Sequence, residues 1–449
     1  MNPYELLIEL LLTTRRLRAT WTGQSALTPV GSMEFGLIPN AQPAILPSTF
    51  TIDLQPLLTD VINGVILDAM ALQRTDELLP LRDLLAPADF VTLSEGLYDF
   101  LWQEAKARGG GGTERGGAQK AWSDPDQRLL RVWFATNRQP VDVVNLAQGF
   151  DVARSADGLT YGICHVYIPE SHKPGSVGTP WWRRWIRLQP DDNLKLRAIQ
   201  GLAHEQFWAD LADKMASWWQ PGERNMFVLI HGYNVGFDDA AIRAAQIGYD
   251  LKVPGEMAFF SWPSRGNTAG YTADEATISA SYGYIAQFLR ELSEKSGAER
   301  IHIFVHSMGN RGFLSALERL VADGVPNLQL GQVFFCAPDE DIRTFKDKVT
   351  HFPHHPENRT LLISPEDKAV ALSEWLHQFD RIGVVPPVTV VPGIDTIQVS
   401  GFPLLDLGHG YFASVAPVME DMREAILTRQ KAQDRQIPQP VRDYFEITV

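Results

Sequence analysis

Short apolar runs of strand length alternate with helix-like stretches through the C-terminal part of this chain. The runs lie at 130–135, 161–168, 226–230, 257–261, 301–305, 332–336 and 360–363. Amphipathic helical stretches, such as 238–249 and 278–292, fall between the later runs. This alternation is typical of a parallel sheet covered by helices on both faces. The first two runs are joined by a polar loop alone, which predicts an antiparallel pair.

A glycine-rich segment, GGGGTERGG at 109–117, divides the chain because none of its residues can build a core. We therefore predict four parts. They are a small, mostly helical N-terminal module at 1–108, a linker at 109–120, an α/β domain at 121–430 and a polar, peripheral tail at 431–449. The module carries no chemistry-bearing motif. We expect it to serve recruitment, assembly or regulation, through a protein partner or through self-association.

Composition excludes several other classes of protein. The formal net charge of −14 disfavours a nucleic-acid partner, since neutralising phosphates requires clustered basic residues. Cys164 and Cys336 both lie in predicted strands, where a thiol behaves as a small apolar group, so no disulfide framework is expected. The N-terminal apolar run is interrupted by Glu5 and Glu9 and does not resemble a signal peptide, which predicts a cytoplasmic location.

The apolar run at 301–305 ends in HSMG, which places His306 and Ser307 where the strand stops. Ligands of parallel sheets bind beyond the carboxyl ends of the strands. Small residues such as Gly309 permit the sharp strand-to-helix turn that exposes a nucleophilic serine. The general pattern GxSxG has glycine where this chain has Val305. The alternative reading of Ser307 is a helix N-cap.

A second strand ending, FVLIHGYNVGF at 227–237, resembles the oxyanion loop that partners such a serine. Gly232 lets the main chain approach closely, next to Asn234. The backbone N–H groups of Tyr233 and Met308 are the predicted oxyanion donors. A histidine at the position of His231 more often shapes this loop than takes protons.

The base and the acid are expected further along the chain, in the order serine, acid, histidine. His409 lies between two glycines in a loop ahead of the last helical stretch, and we predict it to be the base. Asp367 follows the strand-like run at 360–363 and is the preferred acid. Asp339 and Asp341 are alternative acids after the preceding strand, and Asp406 is a third option.

No metal or other cofactor is expected. The histidines of HFPHHP, at 351–356, lack the accompanying carboxylates that a metal site requires, and a solvated loop explains them. Trp262, at a strand end in FSWPS, is expected to line the acyl pocket. The tryptophan pairs at 181–182 and 218–219 would suit a lipid-facing entrance, although ordinary packing explains them as well.

From about residue 130 to about residue 429, the chain resembles a bacterial branch of the α/β-hydrolase superfamily catalogued as a domain of unknown function. Seven motifs in order carry the resemblance: VWFATNR (132–138), YGICHVYIPESHKPG (161–175), HGYNVGFDDAAIRAAQIGYD (231–250), FSWPS (260–264), VHSMGNR (305–311), CAPDED (336–341) and HGYF (409–412). The resemblance implies a doubly wound, mostly parallel α/β-hydrolase fold with a serine nucleophile. Members of this branch often lack the first glycine of the elbow, as here.

We therefore expect a serine hydrolase of carboxylic esters (EC 3.1.1 class), an esterase, lipase or phospholipase that forms an acyl-enzyme. Its partner would be an ester or lipid substrate, with contact to a membrane surface in the lipid case. The alternative is a catalytically idle hydrolase fold that serves as a binding or assembly platform, such as a bacterial defence effector.

Overall fold

The computed structural model describes residues 34–35, 44–45, 128–177, 193–218, 220, 222–265, 271–325, 328–350, 358–367, 370, 380–402 and 410–449. The chain divides into two compact units, Met1–Gly109 and Gly110–Val449. In the first unit, the described residues form β1 (Glu34–Phe35) and β2 (Ala44–Ile45), which pair antiparallel. The predicted helical module at 1–108 and the linker at 109–120 otherwise lie outside the described residues and stay predictions.

Each of the seven predicted strand-like runs coincides with a described strand of the second unit to within two residues at either end. The described strands of this unit are β3 (Leu129–Thr136), β4 (Arg138–Pro140), β5 (Phe150–Arg154), β6 (Thr160–Tyr167), β7 (Lys195–Leu202), β8 (Asn225–Ile230), β9 (Glu256–Ser261), β10 (Arg300–His306), β11 (Leu330–Cys336), β12 (Asn358–Ile363), β13 (Asp395–Ser400), β14 (Gln439–Val441) and β15 (Tyr444–Thr448).

The described helices follow the strands in alternation, as the sequence predicts. They are α1 (His204–Ala216), α2 (Phe237–Leu251), α3 (Tyr271–Lys295), α4 (Gly309–Ala322), α5 (Ile342–Thr350), α6 (Tyr411–Ser414) and α7 (Ala416–Thr428). Short 3-10 helices form at Leu146–Gln148 and Ala432–Asp434.

The central sheet has 11 strands in the order β14-β15-β13-β12-β11-β10-β8-β9-β3-β6-β7. The strands from β15 across to β3 are all parallel to their neighbours. β3 and β6 pair antiparallel, as their sequences predict, and β7 continues that antiparallel edge. β10, the strand that precedes Ser307, lies within the parallel region, so its carboxyl end opens at the edge where such sheets bind ligands.

The inner parallel strands, β8 to β12, are buried on both faces, which explains their nearly continuous apolar sequences. On β10, Ile301, Ile303 and Val305 enter one core and Phe304 enters the other. Helices α1, α3, α4 and α5 cover the first face, while α2, α6 and α7 cover the second. The resulting three layers are those of a doubly wound α/β protein.

The prediction of a peripheral tail at 431–449 is wrong in one respect. β15 pairs parallel with β13 and β14 pairs antiparallel with β15, so these residues extend the central sheet. Their polarity misled the prediction because an edge strand buries only part of its surface: Ile447 is buried, while most of its neighbours are partly exposed. Cys164 and Cys336 are both buried and free.

Candidate active site

Ser307 occupies a tight turn between β10 and α4. Its φ is +51°, a left-handed conformation that is uncommon for a residue with a side chain and costs on the order of 1–3 kcal/mol. Its N–H donates to the Cys336 carbonyl at 3.0 Å, and its own carbonyl accepts from the Asn310 N–H at 3.1 Å. The Asn310 side-chain amide donates to the same carbonyl at 2.8 Å. These bonds hold the strained turn that a nucleophile elbow requires.

Two glycines allow this turn to meet the loop after β8. A Cβ placed on Gly232 would lie 2.6 Å from the Ser307 Cβ, and one on Gly309 would lie 2.5 Å from the His231 carbonyl oxygen. Since real Cβ atoms do not approach so closely, only glycine fits at either position without movement. The predicted oxyanion loop and the predicted nucleophile are therefore direct neighbours.

Helix α4 begins at Gly309, with Met308 immediately before it. Ser307 is therefore not the N-cap, which was its alternative role. The first N–H groups of a helix have no partner within the helix and carry its positive dipole end. In the loop after β8, Asn234 lies two residues after Gly232 and also adopts a left-handed φ of +57°. Both turns bring main-chain atoms, and not only side chains, to the edge of the sheet.

His231 is buried beneath the predicted oxyanion loop and is held as a neutral imidazole. Its Nδ1 lies 2.8 Å from the Gly232 carbonyl oxygen and its Nε2 lies 3.2 Å from the Ser261 hydroxyl. Burial lowers the pKa of His231 to about 3, and the positive charge of Arg138 acts in the same direction. An imidazole that holds a proton so weakly is poorly suited to be the catalytic base, and its contacts orient the loop.

Trp262 and His306 flank these turns on other elements. Trp262 is fully buried, stacks on the His231 ring with centroids 5.1 Å apart, and donates its Nε1–H to the His231 carbonyl at 2.8 Å. In this position it supports the oxyanion loop, and its expected contact with an acyl group stays a prediction. The His306 ring packs on Phe412, with centroids 4.8 Å apart.

The three carboxylates differ in their surroundings. Asp367 is buried after β12, and its Oδ1 accepts from the Val370 N–H at 3.1 Å. Its negative charge reaches α6: burial raises the pKa of Tyr411 well above its usual value, and Asp367 adds to this shift. Asp341 caps α5, accepting from the Thr344 N–H at 2.8 Å.

Asp339 is close to Ser307 through its backbone, since its N–H donates to the Ser307 carbonyl at 3.3 Å. Its carboxylate is already engaged, however. Oδ2 accepts from the Tyr271 hydroxyl, while Oδ1 lies 3.3 Å from an Arg311 nitrogen and 3.4 Å from the Arg381 Nε. Because two guanidinium groups offset its charge, Asp339 would gain little from an additional imidazolium.

His409, like Asp406, lies outside the described residues. The residues that follow it in the chain are described and are tightly held. The Tyr411 hydroxyl donates to the Leu362 carbonyl at 2.7 Å, at the end of β12. Gln246 of α2 donates to the Ala413 carbonyl at 2.9 Å. With Phe412 against the His306 ring, α6 contacts both β12, which precedes Asp367, and His306, which directly precedes Ser307.

Sequence reasoning missed two residues beneath the predicted oxyanion loop. Arg138 ends the motif VWFATNR and is fully buried, and Asp274 lies in the first turn of α3. Both contact the segments that flank Gly232. Arg138 was already part of a motif that carried the family resemblance, but its partners are distant in sequence and could not be paired without the fold.

The sheet order, the helices on both faces and the serine turn define an α/β hydrolase. Residues 212–429 match the family described as "Alpha/beta hydrolase of unknown function (DUF900)". The predicted resemblance is thereby confirmed over 212–429. No curated protein matches the chain.

Helix length and polarity bear on the membrane question. In the parts of the chain that the structure describes, no helix has both the length and the apolar character needed to cross a bilayer. The cytoplasmic location stays a prediction.

Proposed function

We propose that this protein is a serine hydrolase that cleaves carboxylic esters through an acyl-enzyme. The observation that carries the proposal is the left-handed turn at Ser307, at the carboxyl end of a parallel strand and in contact with the glycine loop after β8. A conformation this costly persists only where the surrounding structure enforces it, and such strain clusters at functional sites.

In the proposed mechanism, the Ser307 Oγ attacks the ester carbonyl carbon while His409 takes the hydroxyl proton. The carbonyl oxygen becomes an oxyanion and accepts hydrogen bonds from the N–H groups of Met308 and Tyr233. His409 then gives its proton to the leaving alkoxide as the carbon–oxygen bond breaks. Water repeats these steps on the acyl-enzyme and releases the carboxylic acid, while Asp367 stabilises the imidazolium.

The surroundings of the acids support Asp367 over Asp339. Asp367 is buried beside α6, which directly follows His409 in the chain, whereas the Asp339 carboxylate is occupied by Tyr271, Arg311 and Arg381. Rate measurements on different esters would show which chain length the enzyme prefers and whether its substrate is a soluble ester or a lipid. A rise in rate above the critical micelle concentration would indicate a lipid.

The proposal is tested by labelling with a fluorophosphonate probe and by hydrolysis of a p-nitrophenyl ester. We expect stoichiometric labelling of the protein, none in Ser307→Ala, and a fall in turnover of about 10⁶-fold in that variant. Ser279→Ala is the matched control, because Ser279 is an exposed serine on α3. Wild-type protein that takes up no label would instead support the catalytically idle platform.

A further inference from the structure

Arg138 is a fully buried arginine whose side chain bridges two segments at the carboxyl edge of the sheet, the loop after β8 and the end of β9. Its Nη2 donates to the Val235 carbonyl at 2.8 Å, its Nη1 to the Ser264 carbonyl at 3.0 Å and its Nε to the Ser261 hydroxyl at 2.8 Å. Burial lowers the pKa of Arg138 to about 10, so the group stays charged at neutral pH. A buried charge costs several kcal/mol unless it is compensated.

Asp274 offsets the charge of Arg138 by way of Ser264, which contacts both side chains. It is fully buried, accepts from the Ser264 hydroxyl at 2.6 Å and from the Arg265 N–H at 2.9 Å, and its charge acts on Arg138. Burial raises the pKa of Asp274, while these bonds and the backbone N–H of Asn234 oppose that rise. Ser264 therefore joins the two charges, through its carbonyl on one side and its hydroxyl on the other.

The contacts of this pair converge on the oxyanion loop. The Val235 carbonyl is held by Arg138, the Val235 N–H donates to the Ser264 hydroxyl at 3.3 Å, and the Asn234 N–H faces Asp274. Both peptide groups that follow Tyr233 are thus fixed by buried polar atoms. Through Ser261, Arg138 also reaches His231, on the other side of Gly232.

We propose that Arg138 and Asp274, linked by Ser264, are positioning residues of the oxyanion hole. They do not touch the substrate. They hold the main chain on either side of Tyr233, so that its N–H points at the developing oxyanion before the reaction begins. This inference rests on the proposed function, since it assigns the two residues to that same site.

The alternative is that Arg138 and Asp274 form an ion pair that only stabilises the fold. Considerations of stability give this alternative little support. Buried ion pairs are often replaceable by apolar residues without loss of stability. Apolar residues, however, could not supply hydrogen-bond donors and acceptors for the peptide groups of residues 234 and 235. A preorganised donor, in contrast, contributes about 10²- to 10³-fold to turnover.

Two conservative variants test the proposal with a soluble ester and a trifluoromethyl ketone that mimics the tetrahedral intermediate. Ser264→Ala removes only the linking hydroxyl, and Asp274→Asn removes the charge while keeping the side-chain shape. We expect each to lower kcat by about 10- to 100-fold, less than a deleted donor would, because the N–H is displaced and not lost. KM should change less than about 3-fold, and affinity for the ketone should fall in proportion to kcat/KM.

Ser279→Ala and Asp157→Asn are the matched controls, since both residues are exposed. Melting temperatures are measured for every variant, so that a variant that fails to fold is recognised and the milder Ser264→Ala decides. The proposal is overturned if folded variants keep the control kcat, or if kcat falls while ketone affinity stays unchanged. Full activity in Ser307→Ala would overturn the proposed function itself, and this inference with it.

Discussion

Individual residues at this site are constrained mainly by how closely two turns approach each other. Ser307, Gly232 and Gly309 meet at the edge of the sheet, where an added methyl group would collide with main-chain or Cβ atoms. Asn310 locks the nucleophile turn with bonds to the Ser307 and Val305 carbonyls. The geometry of the candidate site therefore depends on residues that have no reactive group of their own.

The substitution Gly232→Ala should abolish most of the activity. Its Cβ would lie 2.6 Å from the Ser307 Cβ and 3.1 Å from the His306 carbonyl oxygen, so the loop must move. Displacements of about 1 Å cost on the order of 10²-fold in rate, and we expect a fall in kcat/KM at least that large.

Gly283→Ala is the control for this prediction. It lies in α3, and an added Cβ there meets no atom within 4 Å. It should keep full activity and gain about 0.5–1 kcal/mol in stability, because alanine is the better helix former. Ester hydrolysis by Gly232→Ala at the rate of this control would contradict the predicted role of the loop.

At the scale of elements, the site depends on how α6 is attached to the layers around it. This four-residue helix is too short to be stable alone, so its place is set by tertiary contacts. Gln246 of α2 supplies one of them, and Tyr411 supplies another at the end of β12. Gly175 supplies a third, because a Cβ there would lie 2.4 Å from the Ser414 carbonyl oxygen.

Replacing Gln246 by methionine should therefore affect both stability and turnover. The fully buried amide donates to the Asp250 carboxylate at 2.7 Å and to the Ala413 carbonyl at 2.9 Å. Asp250 keeps the Gly175 N–H as a donor, but the Ala413 carbonyl loses the Gln246 amide, and we expect a cost of about 1–3 kcal/mol in the free energy of unfolding. We also expect kcat to fall, because α6 directly follows His409. Urea unfolding and ester hydrolysis measure the two effects.

The matched variant is Gln206→Met, an exposed glutamine on α1. It should change neither quantity appreciably. Turnover in Gln246→Met that equals turnover in this control would show that α6 does not position the base, even if stability falls as expected.

For the whole molecule, buried histidines link folding to pH. His302 of β10 is fully buried: its Nδ1 accepts from the Gln332 N–H at 3.0 Å, and its Nε2 lies 3.2 Å from the Asn225 Oδ1. Protonation of Nδ1 would therefore place its hydrogen against the hydrogen of the Gln332 N–H. Burial lowers the pKa of His302 to about 3, and the charges of Arg300 and Arg429 add to the effect.

The unfolded chain, in which a histidine has a pKa of about 6.5, therefore binds more protons than the folded protein between pH 3 and pH 6.5. The contribution of His302 to stability is complete above that window. It is lost on acidification by about 1.4 kcal/mol per pH unit. His231 behaves in the same way. The pH dependence of stability that Asp421 contributes has the opposite sign. Burial raises the pKa of Asp421 to about 7, although the Arg435 Nε lies 3.0 Å away.

The contribution of His302 is accordingly measured as a difference. We expect the free energy of unfolding of the natural protein to fall faster than that of His302→Gln when the pH is lowered from about 6 to about 5, by about 1.4 kcal/mol. Urea unfolding at several pH values gives both curves. A difference between the two proteins that is constant across this range would refute the prediction.

Local sequence determined most elements of the fold, because strands buried on both faces and amphipathic helices carry distinct apolar patterns. All seven strand-like runs and the helices around residues 238, 278 and 313 are present. β7, β13 and β15 were missed, because near an edge of the sheet or in a mixed environment the polar residues of a strand hide its pattern. Ser307 could be singled out because strand, turn and helix are contiguous in sequence.

What the chain determined by itself was the order of its elements and the positions of its reactive side chains, since both depend on interactions between near neighbours. Only the tertiary structure decided that Gly232 touches Ser307, that Asp339 is occupied by two arginines, and that Arg138 and Asp274 meet beneath one loop. Each of these contacts joins residues at least 28 positions apart, which is the separation of Arg311 and Asp339. Long-range contacts of this kind form only when the sheet brings its strand ends together.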